Sequence, residues 1–326
     1  MRRARIIGTG SYVPEKVMTN QDFEKYLDTT DEWIVARTGI RERHIAAEGE
    51  YTSDLCVNAA RKALEMADIS AEDIDQIIVG TITSDYPWPA TACIVQDKLG
   101  AKQCGSYDLS AACSGFIYAL SNAVAQIESG AIERALVIGA ETLSRIVDYE
   151  DRNTCLLFGD AAGAVVLEAH EGEQGILSTH LHADGSYLEL LYQPGFGTAL
   201  TPTEEIVRDR GYFLKMQGNE VFKVAVKMLA EVAHEALDSN GFTIEDLDLL
   251  IPHQANIRIL EAAAKRLKLP EDKVYINVDR YGNTSAATIP LAMDEANRAG
   301  KLKDNDLIVL NAFGGGFTWA SACIRW

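Results

Sequence analysis

Three residues of this 326-residue chain have the side chains that thioester chemistry requires: Cys113, His253 and Asn283. Cys113 lies in Leu109-Ser110-Ala111-Ala112-Cys113-Ser114-Gly115-Phe116 and His253 in Leu249-Leu250-Ile251-Pro252-His253-Gln254-Ala255-Asn256. Asn283 lies in Tyr281-Gly282-Asn283-Thr284-Ser285. Each is expected where a buried strand ends. A thiol can attack a thioester carbonyl, while an imidazole and a carboxamide can donate hydrogen bonds to charge that develops on oxygen.

The elements that would position them repeat. Ala60-Arg61-Lys62-Ala63-Leu64-Glu65 leads to Ser70-Ala71-Glu72-Asp73-Ile74-Asp75-Gln76-Ile77-Ile78-Val79, and Ala233-His234-Glu235-Ala236-Leu237-Asp238 leads to Thr243-Ile244-Glu245-Asp246-Leu247-Asp248-Leu249-Leu250-Ile251. Both parts share one offset, and each copy reads as an amphipathic helix, a capped turn and a buried strand. Cys113-Ser114-Gly115 and Asn283-Thr284-Ser285 each open a helical stretch that closes near a glycine and feeds an apolar strand. Phe158-Gly159-Asp160 likewise matches Phe313-Gly314-Gly315. Three ordered matches predict an internal duplication of α/β halves with sheets covered on both faces.

The expected units are 1–171 and 172–326, joined near Glu171-Gly172-Glu173-Gln174-Gly175. Cys113 and Asn283 then occupy equivalent helix starts, and His253 matches Gly80 after a strand. If the halves pack about a pseudo-two-fold axis, all three residues can share one site. The stretch from Ala183 to about Arg210 lacks periodicity and reads as a long functional loop or flap.

Each signal has a plainer meaning. A cytosolic cysteine is more often a small buried hydrophobe, but a helix N-terminus favours thiolate at Cys113, and its neighbours are small. Asn283 after Gly282 is, on its own, a turn asparagine. His180 and His182 have a strand-face spacing, with no nearby carboxylate spacing to suggest a metal. Gly314-Gly315-Gly316 fits a tight turn as well as an oxyanion hole. Arg258, Lys265 and Arg266, together with Lys223 and Lys227, form a helical basic pattern whose usual meaning is a solvated face.

Composition narrows the function classes. A content of 47% hydrophobic and 24% charged residues is that of a globular protein. The formal charge of −18 argues against nucleic acid as a partner. No apolar run approaches a membrane span, and the basic start is too short in apolar residues for a signal peptide. Six cysteines without CxxC spacing argue against zinc or a disulfide framework and favour a reducing cytoplasm.

Taken together, Ala112-Cys113-Ser114-Gly115-Phe116, Pro252-His253-Gln254-Ala255-Asn256, Gly282-Asn283-Thr284-Ser285 and Phe313-Gly314-Gly315-Gly316-Phe317-Thr318-Trp319 resemble β-ketoacyl-acyl-carrier-protein synthase III. Asp31-Glu32-Trp33-Ile34-Val35-Ala36-Arg37-Thr38-Gly39-Ile40-Arg41 and Phe158-Gly159-Asp160 extend the likeness over nearly the whole chain. The resemblance implies a thiolase-like fold, two α/β halves in a five-layered αβαβα sandwich, and a homodimer. It implies condensation of an acyl-CoA, with acetyl-CoA the expected primer, and malonyl-acyl-carrier protein, giving 3-oxoacyl-carrier protein, CoA and CO2. No separate cofactor or metal is then expected.

The same likeness implies roles. Cys113 would carry the acyl group, His253 and Asn283 would stabilise the enolate, and the N–H groups of Cys113 and Gly315 would form the oxyanion hole. Trp33 and Arg152 would clamp the CoA adenine, and Arg37 and Asn256 would line the pantetheine tunnel. Lys223, Arg258, Lys265 and Arg266 would dock the acidic carrier protein. Trp88 would reach the partner subunit's acyl pocket, where a bulky ring favours a short primer.

Two rivals share the three residues. A papain-like protease has the order Cys, His, Asn, but needs a CGSCW-like context that this chain lacks. A condensing enzyme of polyketide or alkylquinolone metabolism would share all three. A non-catalytic partner subunit typically lacks the nucleophile, which is present here.

Overall fold

A computed structural model describes residues 2–101 and 103–326. Up to Glu171 the strands are β1 (Arg2–Tyr12), β2 (Lys16–Thr19), β3 (Glu42–Ile45), β4 (Gln76–Gly80), β5 (Gly105–Leu109), β6 (Arg134–Thr142) and β7 (Asp160–Glu171). The helices there are α1 (Asn20–Glu24), α2 (Asp31–Thr38), α3 (Thr52–Ala67), α4 (Thr91–Leu99) and α5 (Gly115–Glu128). From Gly175 follow β8 (Gly175–Ala183), β9 (Leu191–Tyr192), β10 (Lys215–Met216), β11 (Leu249–Pro252), β12 (Leu307–Gly314) and β13 (Thr318–Arg325). Their helices are α6 (Glu204–Arg208), α7 (Gly218–Asp238), α8 (Ile257–Leu267), α9 (Val278–Tyr281) and α10 (Thr288–Arg298).

Two principal sheets have the same grammar. One has the order β1-β7-β6-β4-β5 and the other β8-β13-β12-β11. In each, one parallel pair (β4 with β6, β11 with β12) continues into antiparallel neighbours. The counterpart of β5 in the second sheet shrinks to one parallel bridge between Leu250 and Val274. Even the turns match: Asp73 accepts the Ser70 N–H, and Asp246 accepts the Thr243 N–H, so an acidic side chain caps each strand approach.

The layers follow from which faces are apolar. In β6, Ala135 and Val137 join the central core, whereas Leu136, Ile138 and Ala140 face α3. In β12, Ile308, Leu310 and Ala312 point inward and Leu307 and Val309 face α7 and α8. Two-sided burial explains why these strands read as continuous apolar runs. Helices α5 and α10 fill the middle layer between the sheets, and both contribute to the same core. Pro290 sits in the first turn of α10, where no intrahelical N–H bond is lost.

The stretch from Ala183 to Arg210 is more structured than its sequence suggests. It holds a 3-10 turn (Gly185–Leu190), β9 and α6, and β9 pairs with β10. These pieces are too short for a hydrophobic period to show. Arg210 ties the segment back through Asp148 and Glu150.

The middle layer tolerates no added atoms at its closest contact. A Cβ on Gly139 of β6 would lie 2.2 Å from the Ala286 carbonyl oxygen, before α10. Gly139→Ala should therefore destabilise the fold by about 1–3 kcal/mol through overpacking, read as a lower urea midpoint. An unchanged midpoint would mean that the two halves separate more readily than this contact implies.

Candidate active site

Cys113 sits in a 3-10 turn (Ala112–Ser114) that runs directly into α5, and Ser285 begins the equivalent turn (Ser285–Ala287) before α10. Ala112 and Ser285 both have left-handed backbones, with φ of +45° and +50°. Gly314 passes so close that a Cβ there would be 2.6 Å from the Cys113 nitrogen. His253 follows β11 directly, its N–H bonded to the Asn311 carbonyl at 2.8 Å. Asn283 is held by its own N–H on the Leu157 carbonyl at 2.8 Å.

All three side chains border one cavity of about 670 Å³. The inner polar atoms of the histidine and asparagine are anchored from behind. Asn283 Oδ1 accepts the Ser285 N–H at 2.9 Å, which turns its NH2 toward the cavity. His253 Nδ1 lies 2.7 Å from Thr288 Oγ1. The Ser285 carbonyl already accepts the Thr288 N–H. The Thr288 hydroxyl also donates to that carbonyl at 2.9 Å; when it turns to donate to Nδ1 instead, the ring proton resides on Nε2.

Burial governs the ionisation of the site. His253 is 2% exposed, and desolvation lowers its pKa to about 3, so it is neutral. Cys113 corrects the expectation of a stabilised thiolate. Burial pushes its pKa up to about 11, although Ser285 and the N–H groups of Cys113 and Gly315 all favour the ionised sulfur. Loss of water outweighs the helix-terminus field, so the resting side chain is the uncharged thiol. Behind it, Glu141 of β6 is fully buried, and desolvation raises its pKa to about 7.

The remaining predicted residues divide. Trp33, Arg37, Arg152 and Asn256 line the outer part of the same cavity. The Arg37 and Arg152 guanidinium carbons stand 4.2 Å and 4.8 Å from the Trp33 ring centroid, so a flat ring entering beside Trp33 must displace one of them. Asn256 caps α8 through the Arg258 N–H and bonds the Arg37 carbonyl at 3.0 Å. Lys223 and Arg258 also border the cavity, whereas Lys265 and Arg266 do not. Glu220 pairs with Lys223 at 2.8 Å, and Glu231 lies 3.8 Å from Arg266. Trp88 is 83% exposed and borders neither this cavity nor the smaller one described next.

Sequence reasoning missed several neighbours. A second cavity of about 190 Å³ meets the first at Cys113 and is walled by Ile82, Leu143, Ile146, Phe158, Leu191 and Leu214. Glu141, Ser285 and Thr288 were also missed. The available signal for Glu141 was a carboxylate directly after the apolar run 135–140 of β6. Glu235 bonds His182 at 2.7 Å and lies 3.5 Å from His180, so the carboxylate that their spacing did not suggest comes from α7.

Known proteins match this geometry. The description "3-Oxoacyl-[acyl-carrier-protein (ACP)] synthase III" fits residues 107–185, and its C-terminal counterpart fits residues 237–326. A β-ketoacyl-[acyl-carrier-protein] synthase III of Xanthomonas euvesicatoria is 56% identical, over 99% of this chain and 98% of that protein. The chain belongs to the β-ketoacyl-[acyl-carrier-protein] synthase III family. The synthase III structure from Aquifex aeolicus shares 48% identity at a TM-score of 0.93, covering 99% of this chain and 100% of that one. A priming β-ketosynthase of the R1128 polyketide pathway shares 35% identity at a TM-score of 0.91, over 98% of this chain and 96% of that one. The fold is thiolase-like, and the enzyme is an acyltransferase that condenses acyl-CoA with malonyl-acyl-carrier protein, which favours fatty acid synthesis over the polyketide reading.

The two buried groups give opposite pH signatures in this synthase. For His253 the ordinary pKa of 6.5 falls to about 3 on folding, so stability drops as pH falls between those values. For Glu141 the pKa rises from 4.5 to about 7, so its contribution is full below 4.5 and is lost as pH rises through 7. Relative to wild type, His253→Gln should lose less stability between about pH 7 and pH 5, and Glu141→Gln more, each by at most about 1.4 kcal/mol per pH unit. Urea midpoints across that range would show it; parallel curves would refute the assignment.

Proposed function

We propose that Cys113 carries the acyl group and that His253 and Asn283 stabilise the enolate of the extender. The observation that carries this reading is one cavity on which a thiol, an imidazole and a carboxamide converge, the last two anchored on their far sides. The Cys113 sulfur attacks the acyl-CoA carbonyl, and the N–H groups of Cys113 and Gly315, which face the sulfur, receive the oxyanion. CoA leaves along the cavity toward Trp33 and Arg152. The malonyl arm follows the same route. His253 Nε2–H and the Asn283 NH2 then donate to its thioester oxygen while CO2 departs, and the carbanion attacks the acyl-cysteine.

The small apolar cavity beyond Cys113 supports a short primer such as acetyl. Two features support a homodimer: β5 is an edge strand, and Trp88 projects into solvent close by in sequence. A second copy pairing at that edge would cover unsatisfied backbone groups and could offer Trp88 to its partner's cavity. Lys223, Arg258, Lys265 and Arg266 would dock the acidic carrier protein, with Glu220 and Glu231 weakening the face locally. The chemistry needs no cofactor beyond the CoA thioester. The division at residues 171 and 172 remains our reading of the two units, and six unpaired cysteines support a cytoplasmic setting.

Intact mass after mixing with acetyl-CoA should show an acetyl adduct on wild type and none on Cys113→Ala. An adduct only from longer or branched acyl-CoA would refute the acetyl primer, and no adduct from any would refute the acyl-cysteine. Lys265→Glu and Arg266→Glu, both outside the cavity, should raise KM for malonyl-carrier protein several-fold at low salt. The acyl-CoA half-reaction should be unaffected, and an unchanged KM would place the docking face elsewhere.

A further inference from the structure

Acylation of Cys113 releases a proton, and the site described so far offers it no acceptor. Cys113 as a residue is only 8% exposed, so little solvent reaches it. His253 is neutral, but its pKa of about 3 makes it a poor base. The Ser285 side chain borders the same small cavity as Cys113, and its hydroxyl favours the ionised sulfur. Ser285 Oγ in turn donates to Glu141 Oε1 at 3.2 Å. The Ser285 backbone is committed elsewhere, its N–H to Asn283 Oδ1 and its carbonyl to Thr288. Only its hydroxyl links sulfur to carboxyl.

Glu141 is fully buried, with hydrogen-bond donors gathered around its carboxyl group. Its Oε2 accepts from Thr83 Oγ1 at 2.5 Å, from Thr81 Oγ1 at 3.2 Å and from the Ile82 N–H at 3.2 Å. The two threonine hydroxyls are oriented to donate, because Thr83 Oγ1 accepts the Thr142 N–H and Thr81 Oγ1 accepts the Thr83 N–H. With Ser285, these make four donors around one carboxyl group, a full complement for the ionised form. The titratable groups that face Glu141 are Cys113, from the turn before α5, and Cys56, from α3.

We propose that Ser285 and Glu141 form a proton path behind the nucleophile, Glu141 taking the Cys113 thiol proton through Ser285 during acylation and returning it after condensation. The inference rests on the acyl-cysteine reading above. As the sulfur bonds to the acyl carbon, its proton passes to Ser285 Oγ, and the Ser285 hydroxyl proton passes to Glu141. The carbon–sulfur bond to CoA breaks, and CoA departs as a thiolate that takes a proton from solvent. In the second half, loss of CO2 leaves an electron pair on carbon, which attacks the acyl-cysteine and expels the Cys113 thiolate. Glu141 then gives its proton back through Ser285, restoring the thiol and the carboxylate. Burial favours the uncharged carboxyl in the interval, which suits a group that must hold a proton while the sulfur cannot.

The test is the rate of acyl-enzyme formation from acetyl-CoA, followed by rapid quench and intact mass from about pH 5.5 to 8.5. Wild type should rise through one inflection near 7, the pKa of Glu141. Ser285→Ala and Glu141→Gln should each slow the step by at least about tenfold, and Glu141→Gln should flatten the inflection. The double variant should be no slower than either single one, because both break one path. Unchanged rates, or losses that multiply in the double variant, would overturn the proposal. If Glu141→Gln does not fold, Ser285→Ala decides alone: an inflection retained near 7 at the wild-type rate overturns it. A wild type that accepts no acyl group from any acyl-CoA would instead refute the acyl-cysteine itself, and the path with it.

Discussion

The site depends on the backbone contact at the centre of the molecule, where the turn before α5 and the turn before α10 meet. Gly80 approaches Gly115, Gly139 approaches Ala286, and Gly314 approaches Cys113 at distances that leave no space for a Cβ. Those approaches set Cys113 and Ser285 side by side although they come from different halves. Ala112 and Ser285 adopt left-handed backbones there, each costing about 1–3 kcal/mol, which the surrounding packing must offset. The duplication supplies two similar turns, and chemistry has divided between them. One presents the thiol; the other presents the Asn283 carboxamide and the Ser285 hydroxyl.

Burial then decides how the site works. The same loss of water raises Cys113 and Glu141 and lowers His253, so thiol and imidazole are both uncharged at rest. Neutral donors suit a reaction in which negative charge is born on a thioester oxygen. In a dry site an oriented N–H stabilises that charge strongly without a permanent cation to attract unwanted anions. The orientation of these donors is set by Thr288 and Ser285, which hold the far sides of His253 and Asn283.

At the surface the balance differs. A chain of net charge −18 presents a few cations along α7 and α8, some already paired with Glu220 or Glu231. Pairs this exposed contribute little stability, so these side chains remain available to an acidic partner. The cavity mouth lies beside them, bordered by Lys223 and Arg258. An acidic partner held on these cations would therefore sit beside the entry, and the acidic remainder of the surface would disfavour other orientations.

Much of this was legible in order and spacing. The repeated helix–turn–strand units, the apolar runs of buried strands and the small residues around Cys113 are local patterns, so they pointed to the α/β class, the duplication and the three residues that share one cavity. The roles of Glu141, Ser285 and Thr288 were not legible, because a buried carboxyl looks like any strand-end acid until its four donors are assembled from distant segments. The direction of the Cys113 pKa shift was also misjudged, since a helix N-terminus is visible in sequence and desolvation is not. Sequence alone determined which chemical groups exist and which local elements carry them, because periodicity and capping act over a few residues. Tertiary structure decided which groups touch, how they ionise and which atoms face the cavity, because burial and hydrogen-bond partners depend on segments brought together only by folding.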